Sequence, residues 1–171
     1  MSIKLVVAHD RTRGIGRAGS LPWDLPGEMK RLSALTRQTK SQSGRNALIM
    51  GRATYQSLPD GRRPLPGRLH VVVTSRPIED ERVLSASSLS TALAAAADTP
   101  GIEDVYIFGG ARIYEQALNA LIPDELLISV INAEFECDTF LSAVPAEYVL
   151  EMSEKAIYGT TSVRHETYSK A

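Results

Sequence analysis

Short apolar runs rich in β-branched residues recur along the chain, at residues 3–9, 47–50, 70–74, 104–108 and 126–132. Near-continuous apolar character over four to seven residues predicts strands covered on both faces, as in a largely parallel sheet. Helical spacing separates them. Residues 28–36 carry Met29, Leu32 and Leu35 one helical face apart, and the alanine-rich stretch 89–97 follows Ser88. Residues 52–58 and 111–120 each follow a glycine that ends a strand. This alternation predicts right-handed βαβ crossovers. Toward the C-terminus the period changes to two, at 148–152 and 162–168 around a turn near Tyr158-Gly159, which predicts an antiparallel hairpin closing one edge. The expected fold is a single α/β domain over residues 1–171: a mixed, mostly parallel sheet, about four helices and a C-terminal hairpin.

Gly14-Ile15-Gly16-Arg17-Ala18-Gly19 matches the spacing of a dinucleotide-binding turn and follows a strand. That fingerprint needs a helix continuing through the third glycine, whereas Pro22 and Pro26 follow at once. The segment therefore reads as a glycine-rich loop beside a strand end, placed to cover a site.

Composition narrows the class. The 171 residues are 43% hydrophobic and 23% charged, with a formal net charge of −1, which gives no general attraction for nucleic acid or anionic membrane. Cys137 has no second cysteine for a disulfide or a zinc-ligand spacing, which points to a cytoplasmic protein. The apolar runs fall short of a membrane span. Glu134, Glu136 and Asp138 alternate as on a solvated edge strand, and no metal is expected.

Chemistry concentrates between Leu21 and Leu35. Pro26 suits the first turn of a helix, so Glu28 heads a stripe with Leu32 and Leu35. Periodicity leaves two roles open for Glu28: a helix N-terminal charge, or an acid facing an apolar pocket. Arg68 follows the stiff turn Pro64-Leu65-Pro66-Gly67, so it is either a solvated cation or a fork aimed at a carboxylate. Gly51 and Gly109-Gly110 end strands and precede helices, where free N–H groups can hold phosphate.

Ile15-Gly16 and Leu21-Pro22-Trp23-Asp24-Leu25-Pro26-Gly27-Glu28 resemble the signature of dihydrofolate reductases. Further matches follow in order: Ile49-Met50-Gly51-Arg52 with Thr54-Tyr55, Pro64 to Arg68, Thr74-Ser75-Arg76, Phe108-Gly109-Gly110 with Ile113-Tyr114, and Asp138-Thr139. The resemblance implies that the mixed, mostly parallel α/β sheet is eight-stranded, and that the chain is a monomeric enzyme that reduces dihydrofolate with NADPH and binds antifolates in the same pocket. Glu28 is then the acid that holds the pterin ring and helps protonate N5, with Trp23 and Leu21 beside it. Val7, Ala8, Leu32, Leu58 and Phe108 form apolar walls, Ser129 bonds the acid, and Arg68 takes the glutamate α-carboxylate. By the same resemblance Ala8, Ile15, Gly16, Phe108 and Tyr114 lie near the nicotinamide. Gly51, Arg52, Thr54, Gly109, Gly110, Ala111, Arg112 and Ile113 hold the pyrophosphate, and Thr74, Ser75 and Arg76 with Arg52 meet the 2′-phosphate. The Gly109-Gly110 bond is expected to be cis.

Some positions depart from the family pattern. Leu32 stands for a frequent phenylalanine, Phe108 for a smaller aliphatic residue, and Ser129 for the usual threonine. Two alternatives keep the fold: a pyrimidine reductase of riboflavin synthesis, which should lack the Trp23-to-Glu28 constellation and Arg68, or a noncatalytic nucleotide-binding or partner-binding domain, which would bind NADPH without turnover.

Overall fold

The computed structural model describes residues 1–171. In chain order the strands and helices are β1 (Ile3–His9), β2 (Gly14–Gly16), α1 (Pro26–Arg37), β3 (Arg45–Gly51), α2 (Arg52–Ser57), β4 (Arg68–Val73) and β5 (Val83–Ala86). Then come α3 (Leu89–Asp98), β6 (Ile102–Ile107), α4 (Ala111–Asn119), β7 (Glu125–Ile131), β8 (Thr139–Phe140), β9 (Tyr148–Tyr158) and β10 (Thr161–Lys170). Eight strands make one sheet in the order β5-β4-β3-β6-β1-β7-β10-β9. It is parallel from β5 through β7, and β10 then pairs antiparallel with both β7 and β9. The α/β class, the eight strands of the main sheet, the four helices and the C-terminal hairpin are as expected, and β5 is the strand that periodicity does not show.

Strand alternation sorts the core into two layers. Leu5, Ala47, Ile49, Val71, Val105 and Ile107 meet Leu89, Ala92 and Ala96 of α3 and Ile113, Tyr114, Ala117 and Leu118 of α4. Val6, Leu48, Met50, Val72 and Tyr106 point the other way, toward Leu32 and Leu35 of α1 and Tyr55 of α2. Helix ends follow local chemistry. Pro26 opens α1, and Ser88 caps α3 in a reciprocal box with Thr91.

Where the elements differ from expectation, the reason is exposure. Strands β9 and β10 run well beyond the alternating segments, because backbone pairing continues where the edge strand is solvated and apolar alternation fades. Only Val83 and Ala86 of β5 are buried, so that strand shows no apolar run. Residues 134–138 are not an edge strand. The chain there is held instead by irregular bonds: Phe135 N–H donates to Asp10 Oδ2 at 3.0 Å, and Asp138 N–H to the Gly16 carbonyl at 3.0 Å.

The glycine-rich segment forms β2 and a turn, not a helix. Arg17 and Ser20 exchange backbone hydrogen bonds, and Gly19 takes φ +80° between them. The base of this loop is tied to buried Asp10, whose Oδ1 accepts from Thr12 N–H, Thr12 O–H and Gly14 N–H. Asp138 Oδ2 accepts from Ala18 N–H at 2.9 Å. No helix is long and apolar enough to cross a membrane.

Candidate active site

Glu28, in the first turn of α1, is 6% exposed, so the apolar stripe carries its carboxylate into the protein rather than leaving it at a solvated helix end. Oε1 accepts a 2.8 Å hydrogen bond from Ser129 Oγ on β7, while Oε2 is buried without a partner. Burial pushes the carboxyl pKa up, against the pull of Ser129, Arg31 and Tyr158. His165 Nε2 lies 3.6 Å from Oε2. Burial, and then the charge of Arg31, lowers the imidazole to about 4, so at neutral pH this contact is not an ion pair. His165 and Tyr158 carry no motif, and sequence reading passes over both. They reach Glu28 only because β9 and β10 fold back beside β7.

Leu32, Leu58 and Phe108 meet against Val6, Leu48 and Met50 on the α1 and α2 side. Val7 does not join them. Its side chain lies in the opposite layer with Leu5, Ile113 and Tyr114, and its neighbour Val6 faces the expected pocket. Period-two alternation decides this, and motif matching is one residue out. Ala8 and Trp23 pack with Leu25, Ile131 and Val163, and the Trp23 ring lies 5.4 Å from Phe135. Leu21 is 53% exposed, so it stands on the surface and walls no enclosed space.

Arg68 is buried on β4 without a carboxylate. Its Nε donates to the Pro66 carbonyl at 3.0 Å and Nη1 to Thr36 Oγ1 at 2.9 Å. Burial, then the neighbouring Arg37 and Arg62, lowers it to about 10. Thr36, another residue without a motif, lies eight positions beyond Glu28 on α1, a rise of about 12 Å. One helix face thus joins an unpartnered carboxylate oxygen to an unneutralised guanidinium.

On the other side of the sheet ends, Gly51 N–H donates to the Gly109 carbonyl at 2.8 Å, which brings the two strand-end glycines together. The Gly109-Gly110 peptide is cis, and Gly109 has φ +120°. A Cβ at Gly110 would lie 3.2 Å from Thr54 Oγ1. The N–H groups of Gly110, Ala111, Arg112 and Ile113 find no acceptor in the chain at the uncapped start of α4. Tyr114 O–H donates to the Val6 carbonyl at 2.7 Å, behind Gly109. Arg52 Nη1 donates to the Arg76 carbonyl at 2.9 Å and to Thr74 Oγ1 at 3.3 Å, gathering the turn that exposes Ser75 and Arg76. Ile15 packs on the main cluster, next to Gly16 in β2.

A mostly parallel sheet flanked by helices on both faces, with polar groups and glycines gathered at its strand ends, defines an α/β protein of the kind that binds ligands there. Residues 2–169 match the family model described as Dihydrofolate reductase. The chain is 35% identical over 151 residues to the dihydrofolate reductase of Drosophila melanogaster, covering 86% of this chain and 83% of that protein. It is 35% identical over 152 residues to the Aedes albopictus dihydrofolate reductase, covering 85% and 82%. It is also 43% identical over 145 residues to the bifunctional dihydrofolate reductase-thymidylate synthase of Daucus carota. That match covers 81% of this chain but 28% of the relative, so the chain spans less than a third of the two-activity protein. The protein belongs to the dihydrofolate reductase family, whose members are oxidoreductases.

Proposed function

We propose that the protein reduces 7,8-dihydrofolate to 5,6,7,8-tetrahydrofolate with NADPH. The observation that carries this reading is the sealed, unpartnered Oε2 of Glu28 on the same helix as the Thr36 that braces unneutralised Arg68. An elongated ligand with N–H donors at one end and a carboxylate at the other satisfies both.

In this reading Glu28 Oε2 accepts from the 2-amino and ring N–H groups of the pterin, and Arg68 grips the glutamate α-carboxylate through its unbonded Nη2. Leu32, Leu58 and Phe108 cover the rings and Ala8 backs them. Leu21 stands toward solvent, and Trp23, packed on Leu25 and Phe135, shares its apolar cluster with the pocket's Ala8. Burial raises the affinity of Glu28 for a proton, which suits it to helping protonate N5, through water, at neutral pH.

The residues at the strand ends fit NADPH. Free N–H groups at the start of α4 and the space that a Cβ at Gly110 would fill accept pyrophosphate oxygens, with Gly51, Arg52, Thr54 and Gly109 around them. Thr74, Ser75, Arg76 and Arg52 suit the 2′-phosphate. Ile15, Gly16 and Tyr114 border the nicotinamide end. When bound, NADPH supplies hydride from nicotinamide C4 to pterin C6. The chain's part is to hold the rings together and exclude water.

The same donor pattern lets antifolates compete for Oε2. We further propose one cytoplasmic, monomeric domain over residues 1–171 whose product serves one-carbon transfer and nucleotide synthesis. The test is loss of NADPH absorbance when dihydrofolate is added to the purified protein. Turnover with a reducible pyrimidine riboflavin precursor and none with dihydrofolate would move the protein to another reductase, and NADPH binding with no turnover to a noncatalytic role.

A further inference from the structure

Behind Glu28 lies a line of hydrogen bonds drawn from four separate elements. Ser129 Oγ on β7 is 2.8 Å from Glu28 Oε1 and also 2.8 Å from His165 Nδ1 on β10. Tyr158 Oη on β9 is 2.8 Å from His165 Nε2. Ser129 and His165 are direct partners across the β7–β10 ladder, so their side chains leave the same face of the sheet. The Tyr158 ring meets the imidazole edge-on and also covers Gly27, where any Cβ would overlap it. The start of α1 and the end of β9 are therefore fitted to one another around this line.

With Glu28 ionised and the imidazole neutral, as its lowered pKa requires near pH 7, counting hydrogens leaves one arrangement. An ionised Glu28 only accepts, so Ser129 commits its single hydroxyl hydrogen to Oε1. The Ser129 oxygen then accepts from His165 Nδ1–H. A neutral imidazole protonated at Nδ1 has a lone pair at Nε2, and that lone pair accepts the Tyr158 hydroxyl hydrogen. Nε2 consequently has nothing to donate across the 3.6 Å to Glu28 Oε2, and that oxygen stays unpartnered.

We propose that His165 is a positioning residue: held by Tyr158 in the Nδ1–H tautomer, it directs the Ser129 hydroxyl onto Oε1 of Glu28 and keeps Oε2 for the N–H donors of the substrate's heterocycle. Only the substrate clause rests on the dihydrofolate reading; the tautomer rests on geometry. The charged and titratable groups facing the imidazole are Glu28 and Arg31 from α1 and Tyr158 from β9. Glu154, opposite His165 on β9, is exposed. Burial and Arg31 both disfavour a second proton on the ring.

Nitrogen NMR of histidine-labelled protein reads the tautomer directly. The expected result near neutral pH is a proton on Nδ1 and none on Nε2 of His165. A proton on Nε2, or an imidazolium, overturns the proposal. Tyr158→Phe removes the donor to Nε2 and is expected to shift the signal toward the Nε2–H form; no shift overturns the lock. In kinetics, His165→Phe is expected to raise KM for dihydrofolate about tenfold, the value of one charge-assisted hydrogen bond, with KM for NADPH unchanged. It should also move the basic limb of the rate profile upward, because the ionised Glu28 has lost its fixed donor. His165→Asn, which restores an N–H near the Nδ1 position, is expected to recover both. Equal KM values and unmoved profiles in Phe and Asn variants that melt like the parent overturn the proposal. Absence of dihydrofolate turnover in the parent, beside an Nδ1–H signal, overturns the proposed reaction and leaves the hydrogen-bonding role standing.

Discussion

Glu28 lowers the stability of the fold in order to offer a bare carboxylate oxygen. Its folded pKa is raised by burial above its value in the unfolded chain. A raised carboxyl contributes stability below the unfolded pKa and loses it as pH rises, so at neutral pH the ionised group is a burden. Glu28→Gln is expected to melt at the same or a higher temperature at pH 7, while dihydrofolate-dependent NADPH oxidation falls by about 10²–10⁴-fold. Full rate in that variant would remove Glu28 from the chemistry. Arg68 differs, since its cationic head has hydrogen bonds but no counter-charge. Arg68→Leu is expected to raise KM for dihydrofolate about ten- to a hundredfold, the loss of charged hydrogen bonds to the tail, and to spare a pterin that lacks the glutamate. Equal effects on both would show that Arg68 does not touch the tail. For these two residues the sequence supplied identity and neighbourhood. Burial and missing partners had to come from the fold, because a helix stripe or a turn looks the same whether it faces a ligand or solvent.

At the level of elements, local signals were strongest where the chain satisfies its own backbone. Pro26 and Ser88 mark the starts of α1 and α3 because the first helical N–H groups must be capped or absent. Ser88→Ala removes the side-chain acceptor of Thr91 N–H, one half of the α3 capping box, and is expected to cost about 1 kcal/mol, lowering the melting temperature by about 2–4 °C with no change in KM for either substrate. A change in KM would tie α3 to the site. Signals faded along β5 and the outer reach of β9, where few side chains are buried. Val7 shows the related error of matching without geometry, since a strand turns adjacent residues to opposite layers.

Across the whole molecule, several buried groups titrate with the same sign. Burial, then Arg68, lowers His70 to about 4, in keeping with a ring whose Nε2 accepts from Leu65 N–H, and His165 is lowered to a similar value. Both have folded pKa values below the unfolded 6.5, so the unfolded chain binds more protons between about 6.5 and 4 and stability falls as pH drops through that window. Asp10 follows at lower pH. Burial alone would raise it, but hydrogen bonds from Thr12, Phe135 and Gly14 hold it near 2, so its contribution is lost as pH falls from about 4 toward 2. Melting temperature is expected to decline steadily from pH 6.5 to 4, less steeply in His70→Gln than in the parent. Parallel slopes would mean that His70 does not drive the decline.

The sequence by itself determined the alternation of strands and helices, the α/β class and the ordered motifs that mark the family, because hydrophobic period, proline and glycine act over a few neighbouring residues. It also named Glu28, Ser129 and Arg68. Only the tertiary structure decided that Val6 rather than Val7 faces the α1 side, that Thr36 braces Arg68, and that His165 and Tyr158 stand behind Glu28. Those relations join residues from 32 to more than a hundred positions apart, or the two faces of one strand. They exist only once sheet pairing has set which side chains share a face.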